Sequence, residues 1–204
     1  MGIKQRKDRE REEMKDLILD AAKRISIEEG FSKVSIRKIA EEIEYSPGTI
    51  YLYFKNRDEI LFELHNLAFQ KFYKEQLKIS HINEPFEKLK EHGRVYIKFG
   101  LDNPDLYELM FIVQAPGNEI ETSQSWNEGM KTFEFLRSNI QECLDAGYFK
   151  GSDVNTLSIA MWSLVHGIVS LYLRKRMAMV PKEFMKPVLF GAFETMIDNL
   201  NNKK

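Results

Sequence analysis

Residues 35–57, SIRKIAEEIEYSPGTIYLYFKNR, predict two short helices joined by a tight turn. Ser35 is the expected N-cap of the first helix, because its hydroxyl can accept a hydrogen bond from an amide of the first turn. Four apolar residues then recur at helical spacing and share one face: Ile36, Ile39, Ala40 and Ile43. A second helix follows Ser46, with Pro47 at its first position, where a missing N–H costs nothing.

The second helix is expected to bury Ile50 and Phe54, which leaves a polar and aromatic face exposed. Hydroxyl groups on that face can donate to phosphate oxygens, and flanking lysine and arginine side chains suit the same contacts. The sequence therefore predicts a surface for double-stranded DNA formed by nine residues: Ser35, Arg37, Ser46, Gly48, Thr49, Tyr51, Tyr53, Lys55 and Arg57. Helix pairs of this kind also arise by chance in all-α proteins, and that alternative stays open on the two helices alone.

We expect different tasks for different members of this surface. Arg37 could read a guanine edge and Thr49 a base or its methyl group, while the tyrosines hold phosphates. A third helix follows at once, with Asn56 as its expected N-cap and Glu59 placed to close a capping box. That start puts Arg57 in the first turn, where it can contact a phosphate.

The same stretch resembles the TetR (tetracycline-repressor) family of bacterial transcription regulators. The similarity covers about residues 10–65: a long first helix, a Gly-Phe break, I-R-K-I-A-E-E-I, a turn, and S-P-G-T-I-Y-L-Y-F-K-N-R-D-E-I-L. It implies a homodimeric repressor that binds a palindromic operator and is released by a small-molecule effector. Glu44 stands where the family usually has a turn glycine, and a left-handed backbone there would cost on the order of 1 kcal/mol.

The composition is that of a folded globular protein: 43% of the 204 residues are hydrophobic, and the single cysteine, Cys143, excludes an internal disulfide. The first eleven residues, MGIKQRKDRER, lack the apolar segment of a secretory signal, so we expect a cytoplasmic protein. The net charge is only −1, and contacts with DNA must therefore rest on local basic clusters. The basic N-terminal run is expected to be disordered without DNA.

The rest of the chain predicts further helices and no sheet, about nine helices in all, so the fold class is all-α. We assign residues 1–56 to the helix-turn-helix DNA-binding domain and residues 57–204 to a helical bundle for effector binding and dimerisation. Residues 114–123, which contain Ala115-Pro116-Gly117, are expected to form a surface loop.

Two C-terminal helices, at about 153–175 and 182–200, are expected to form the homodimer interface. The first is apolar on two sides, so one stripe can face its own core and the other a twin chain. A membrane span is the rival interpretation. We disfavour it because the apolar stretch 158–173 falls short of the ~18 residues needed and contains His166 and two serines.

The segments NPDLYELMF and MWSLVHGIVSLYL are similar to one branch of the TetR family, which carries a W-x-x-x-H-G signature. This second similarity covers about residues 95–175. Helix packing, with Gly167 permitting a close crossing, is the competing interpretation of the signature and the one we favour for His166.

No catalytic constellation, metal site or cofactor motif is predicted, because the four histidines lie on separate predicted elements and only one cysteine is present. The chain is therefore not expected to be an enzyme, although a small helical enzyme and a protein-interaction adaptor remain alternatives. The family resemblance implies a pocket for a small apolar or aromatic effector. Its candidate lining is aromatic and methionine-rich: Tyr96, Phe99, Met110, Phe111, Trp126, Met130, Phe133, Trp162 and His166.

Overall fold

The computed structural model describes residues 2–123 and 126–201. All regular secondary structure within those ranges is helical, as predicted. Two short 3-10 helices accompany ten α-helices: α1 Ile3–Glu29, α2 Ile36–Glu42, α3 Pro47–Ile50, α4 Arg57–Leu77, α5 Pro85–Asp102, α6 Pro104–Phe111, α7 Gln114–Ser123, α8 Asn127–Asp145, α9 Val154–Leu173 and α10 Met185–Asn201.

The chain divides into two compact units. The first comprises Met1–Ala68 and Asp105–Trp126, and the second comprises Phe69–Pro104 and Asn127–Lys204. Helix α4 therefore contributes residues to both units. The predicted boundary between residues 56 and 57 divides the chain by function, into a DNA-binding part and an effector-binding and dimerisation part, and does not coincide with the division into compact units. That functional boundary stays a prediction.

The core of the first unit is built from the apolar stripes that the sequence predicts. Helix α1 supplies Ile18, Ala21, Ala22 and Ile25, and α2 adds Ile36, Ile39 and Ala40, all buried. Ile50 and Phe54 from the α3 segment enter the same cluster, together with Ile60, Leu61 and Leu64 of α4 and Leu109 of α6. This cluster orients α3, because its two anchoring side chains are 0% and 4% exposed.

The N-terminal run is helical, which corrects the expectation of a disordered start. Helix α1 begins at Ile3. Arg6 lies 3.1 Å from Glu10, and Arg9 lies 3.3 Å from Glu13, each pair one helical turn apart. Pairs at this spacing stabilise a helix by about 0.3–0.5 kcal/mol each. The charged run thus extends the amphipathic helix rather than terminating it.

Residues 114–123 also differ from expectation, since they form α7 and not a surface loop. Pro116 is the third residue of that helix, where a backbone N–H has no partner within the helix and its loss removes no hydrogen bond. Gly117 is tolerated beside it. Pro116 and Gly117 suggested a break in the helix, but the proline lies in the first turn of α7, where it costs no hydrogen bond.

The second unit is a helical bundle in which α5, α8 and α9 pack against one another and α10 packs on α5 and α9. Gly93 allows the close crossing of α5 and α10, because a Cβ atom at this position would lie 2.0 Å from the Phe193 ring. Ion pairs reinforce the same crossing. Lys90 lies 2.7 Å from Asp198, and Arg94 lies 2.7 Å from Glu194.

Helix α9 buries one stripe and leaves apolar side chains exposed on its other side. Leu157, Met161, Val165 and Val169 are buried, whereas Ile159 and Leu171 are each 50% exposed. Helix α9 is longer than the apolar stretch 158–173, since it has 20 residues and is long and apolar enough to cross a membrane by length and composition alone. One such helix is weak evidence, and the expectation that it is not a membrane span stands. Those two properties do not separate a membrane span from a bundle helix with an exposed apolar face.

Candidate nucleic-acid interface

The turn between α2 and α3 has the geometry that usually calls for glycine. Glu44 has φ 60°, in the left-handed region. The N–H of Tyr45 donates to the carbonyl of Ala40 at 2.9 Å, and the N–H of Glu44 donates to the carbonyl of Glu41 at 3.3 Å. These two bonds form a Schellman motif with Glu44 at its left-handed position. The helix pair therefore keeps the family's turn despite the departure from glycine.

Both helices of the pair begin at the predicted serine caps. The Ser35 hydroxyl accepts from the N–H of Lys38 at 3.2 Å. The Ser46 hydroxyl accepts from the N–H of Thr49 at 3.2 Å and lies 3.0 Å from the Thr49 hydroxyl. The regular part of α3 is only four residues long, but its hydrogen bonding continues until the N–H of Phe54 donates to Ile50.

Solvent reaches most of the predicted contact surface. Ser46, Gly48, Tyr51 and Lys55 are exposed, and Thr49 and Tyr53 are half-buried. Arg37 projects from α2 with 85% of its side chain exposed, where its Nε donates to Glu41 at 2.9 Å. Leu52, which is not one of the nine predicted contact residues, is 69% exposed beside Tyr51.

Helix α1 also reaches this surface. The Arg11 guanidinium lies 5.5 Å from the centroid of the Tyr53 ring, within the range of a cation–π contact. The contact places a cation from the basic N-terminal run next to the segment that follows α3. Sequence spacing did not indicate it, because 41 residues lie between the two partners in the chain and only folding brings them together.

Arg57 has structural partners that the sequence did not indicate. Its Nε donates to the carbonyl of Val34 and its Nη2 to the carbonyl of Phe31, both at 2.7 Å. Its Nη1 lies 3.2 Å from Asp58. The guanidinium therefore fastens the start of α4 to the segment that precedes α2, and its phosphate contact remains a prediction.

The start of α4 is capped largely as expected. Asn56 Oδ1 accepts from the N–H of Glu59 at 2.8 Å. The Glu59 carboxylate accepts from the N–H of Lys55, one residue before the cap, rather than from Asn56 itself. Local hydrogen bonds thus begin α4 directly after the contact segment.

The nine predicted effector residues fall into both units. Met110, Phe111 and Trp126 belong to the first unit, and the other six belong to the second. Four of those six lie together: ring centroids are 6.0 Å apart for Phe133 and Trp162 and 6.5 Å for Trp162 and His166, and the Tyr96 hydroxyl lies 3.3 Å from His166 Nδ1. Burial lowers the pKa of His166, which favours its neutral form.

The remaining two residues of the second unit are placed differently. Met130 is 42% exposed, and Phe99 packs on Phe72 with ring centroids 4.8 Å apart. Phe99 also lines a surface cleft of about 280 Å³ together with Val95 and charged or polar side chains: Lys71, Glu75, Lys98, Asp102 and Asn103. Such mixed-charge walls do not match the apolar pocket that the sequence predicts.

Two family profiles match the sequence. One, described as "Bacterial regulatory proteins, tetR family", matches residues 18–64, and a second, "Tetracyclin repressor-like, C-terminal domain", matches residues 89–199, more than half of the chain. The chain belongs to the TetR family. Members of this family are DNA-binding transcription regulators rather than enzymes.

Individual relatives agree with the TetR assignment. An uncharacterized HTH-type transcriptional regulator of Haemophilus influenzae is 32% identical over 95 residues, which is 46% of this chain and 51% of that protein. The chain thus spans about half the length of that relative. The HTH-type transcriptional regulator QacR of Staphylococcus aureus is 26% identical over 171 residues, 77% of this chain and 85% of QacR.

A solved TetR-like structure shows the same fold. The transcriptional regulator FadR from Bacillus subtilis, in complex with stearoyl-CoA, superposes with a TM-score of 0.68 and 20% sequence identity, covering 89% of this chain and 96% of FadR. At this level of identity the similarity concerns the fold alone.

Proposed function

We propose that the chain is a ligand-released repressor that acts as a homodimer on a palindromic operator. The observation that carries the proposal is the outward face of α3, where Ser46, Gly48, Tyr51 and Lys55 are exposed on a segment anchored by buried Ile50. A short helix presented in this way can enter a major groove. Membership of the TetR family supports the same function.

Arg37 is our candidate for base recognition. Its guanidinium is exposed, and among the described residues it pairs with Glu41, in a surface pair that contributes little and can be exchanged for DNA. Arg37→Ala should weaken operator binding by about 1–3 kcal/mol and relax specificity at one base pair. Gel-shift titrations on operator and random duplexes test this, with Lys55→Ala as the phosphate-type comparison. Equal losses on both duplexes would assign Arg37 to phosphate contacts instead.

We assign the other contacts mainly to the DNA backbone. Phosphates would be held by Tyr51, Tyr53 and Lys55. The backbone would approach those phosphates closely at Ser35, Ser46 and Gly48. Thr49 would face a base. Arg57 would contribute through the hydrogen bonds that fix the start of α4, with any phosphate contact secondary. Arg11, beside Tyr53, would add a cation from α1 to the same surface.

The homodimer is proposed to form through α9 and α10. Ile159 and Leu171 of α9 are each 50% exposed, and Met196 of α10 is 47% exposed. A second copy of the chain would bury these side chains around a two-fold axis and set the two reading segments about 34 Å apart, one turn of DNA. Leu171→Glu should yield a monomer in analytical ultracentrifugation and bind operator weakly. A dimer that persists in this variant and in Ile159→Glu would refute this interface.

The effector is proposed to bind within the bundle of the second unit, close to Tyr96, Phe133, Trp162 and His166. The W-x-x-x-H-G segment supplies two of these residues, and we propose that the chain belongs to that branch. The similar fold of FadR, which binds stearoyl-CoA, supports a ligand with an apolar body. We expect the protein to act in the cytoplasm.

In vitro selection from random DNA duplexes tests the function as a whole. We expect a palindromic consensus whose half-sites are one helical turn apart. Recovery of duplexes without any sequence preference would refute operator recognition and favour the protein-interaction adaptor. With the selected operator in hand, a ligand that raises the melting temperature should lower operator affinity, because release requires tighter binding to the DNA-free conformation.

A further inference from the structure

Four polar side chains are buried together in the bundle of the second unit. Gln76 of α4, His92 of α5, and Thr132 and Asn139 of α8 are between 1% and 5% exposed. Gln76 Nε2 lies 2.7 Å from His92 Nε2 and donates to the carbonyl of Thr132 at 3.4 Å. Asn139 Nδ2 lies 2.9 Å from His92 Nδ1. We call these residues the polar core cluster.

The polar core cluster is incomplete, because Gln76 Oε1 is buried and has no hydrogen-bond partner among the described residues. A neutral His92 ring has one N–H and one acceptor nitrogen, so one of the two amides that face it must present its oxygen. If Gln76 is the amide that turns over, its Oε1 accepts from His92 and its NH2 group takes the place without a partner, so one polar atom of Gln76 is open in either orientation. Buried polar side-chain atoms are normally hydrogen-bonded, so the open Gln76 carboxamide indicates a partner that the chain itself does not supply.

The polar core cluster carries no charge. Its hydrogen bonds, in the described ranges, involve two amides, an imidazole, the backbone carbonyl of Thr132 and the Thr132 hydroxyl, which donates to the carbonyl of Gly129 at 2.7 Å. Burial lowers the pKa of His92 to about 3, so the ring is neutral at physiological pH. An ionic group placed here would lose its hydration without gaining a counter-charge, whereas an uncharged group that can both donate and accept would satisfy the open Gln76 atom in either amide orientation.

Aromatic side chains adjoin the cluster. The Phe135 ring centroid lies 5.4 Å from that of His92 and 6.1 Å from that of Tyr73. Both Phe135 and Tyr73 are half-buried, so this side leads from the cluster towards solvent. An apolar body could lie against these rings while its polar end reaches Gln76. Bundle proteins commonly build ligand sites in this way, from side chains on facing helices.

We propose that Gln76, His92 and Asn139 form the polar end of the effector site, and that this site takes an uncharged ligand with a hydrogen-bonding group, such as a primary amide or an alcohol, on an apolar body. The inference rests on the proposed effector-released function and specifies its ligand class. It adds polar side chains, which the sequence prediction did not include, to the aromatic side chains proposed to lie near the effector.

The test uses the full-length protein and four probes with the same eight-carbon chain: octanamide, 1-octanol, octanoate and octyltrimethylammonium. Isothermal titration calorimetry at pH 7 should give measurable binding of the two uncharged probes and at least tenfold weaker binding of the two ions. Ions that bind as tightly as octanamide would overturn the ligand class. Failure of both uncharged probes to bind would overturn the site.

Variants locate the binding. Gln76→Met and Asn139→Leu should each weaken octanamide binding at least tenfold, while Gln141→Met, an exposed glutamine on α8, should leave it unchanged. Circular dichroism verifies the fold of each variant, and either folded cluster variant is sufficient for the comparison. Octanamide binding that is the same in a folded cluster variant and the wild type would refute the assignment.

Operator binding without a probe is measured on the same samples. The cluster variants should keep wild-type operator affinity, because none of their changes touches the DNA-contacting surface. Retained operator binding with unchanged octanamide affinity would reject this inference alone. Loss of sequence-specific binding in the wild type would instead reject the proposed function.

Discussion

Replacing Glu44 by glycine should stabilise the protein. Glu44 has φ 60° at the left-handed position of the Schellman motif that ends α2. A residue with a Cβ atom loses roughly 1–2 kcal/mol in that conformation. Glycine removes this strain but gives the unfolded chain more freedom, which costs about 0.4–1 kcal/mol. The difference spans about 0–1.6 kcal/mol, and its centre predicts that Glu44→Gly raises the free energy of unfolding by roughly 0.8 kcal/mol.

Urea denaturation at a fixed protein concentration measures the effect. With a slope near 2 kcal/mol/M, the midpoint should rise by roughly 0.3–0.5 M. Lys23→Gly is the matched control, because Lys23 is exposed in the middle of α1 and glycine there removes no left-handed strain. That control should lose up to about 1 kcal/mol. Equal destabilisation by both substitutions would refute the assignment of strain to Glu44.

Three further predictions concern packing and protonation. Gly93→Ala should destabilise the bundle by about 1–3 kcal/mol in urea denaturation, and less in a Phe193→Ala background, since the new methyl group meets that ring. Arg57→Ala should lower the free energy of unfolding by roughly 2–3 kcal/mol in urea denaturation, because two hydrogen bonds to backbone carbonyls are lost. Arg57→Lys should not restore this stability, because a single ammonium group cannot donate to both carbonyls as the planar guanidinium does. Burial lowers the pKa of His92 to about 3, so between pH 6.5 and 5 this histidine binds a proton in the unfolded state but stays neutral in the folded state. The free energy of unfolding should therefore fall over this pH range by about 2 kcal/mol more in the wild type than in His92→Gln. The urea midpoint at each pH measures the difference.

The caps of the DNA-contacting segment could be predicted because they depend on near neighbours. Ser35, Ser46 and Asn56 each accept a hydrogen bond from the N–H three residues later. The spacing of the apolar residues predicted the buried stripes of α1 and α2 equally well. The prediction failed for α7, where Pro116 and Gly117 were taken as helix breakers although the proline lies in the first turn.

Tertiary partners were not predictable in the same way. The hydrogen bonds of Arg57 reach back 23 and 26 residues, to carbonyls whose position depends on the end of α1. A phosphate contact was the natural inference for an arginine at a helix start beside other basic residues. Only the packed unit shows that all three of its guanidinium nitrogens have acceptors, two of them distant backbone carbonyls.

The polar core cluster shows what a single sequence can still reveal about such sites. His92 follows Leu89 by three residues and precedes Tyr96 by four, so it occupies the buried stripe of α5. Asn139 similarly precedes buried Cys143 by four residues on α8. Taken alone, each of these polar residues looks like a tolerated exception in an apolar core. The partners of His92 lie far away in the sequence: Gln76 is 16 residues from it and Asn139 is 47 residues from it. Hydrogen-bonding side chains at buried-stripe positions of several helices are therefore the sequence signal of a shared polar cluster, and the proposal that this cluster binds a ligand rests on the open Gln76 carboxamide, which only the structure shows.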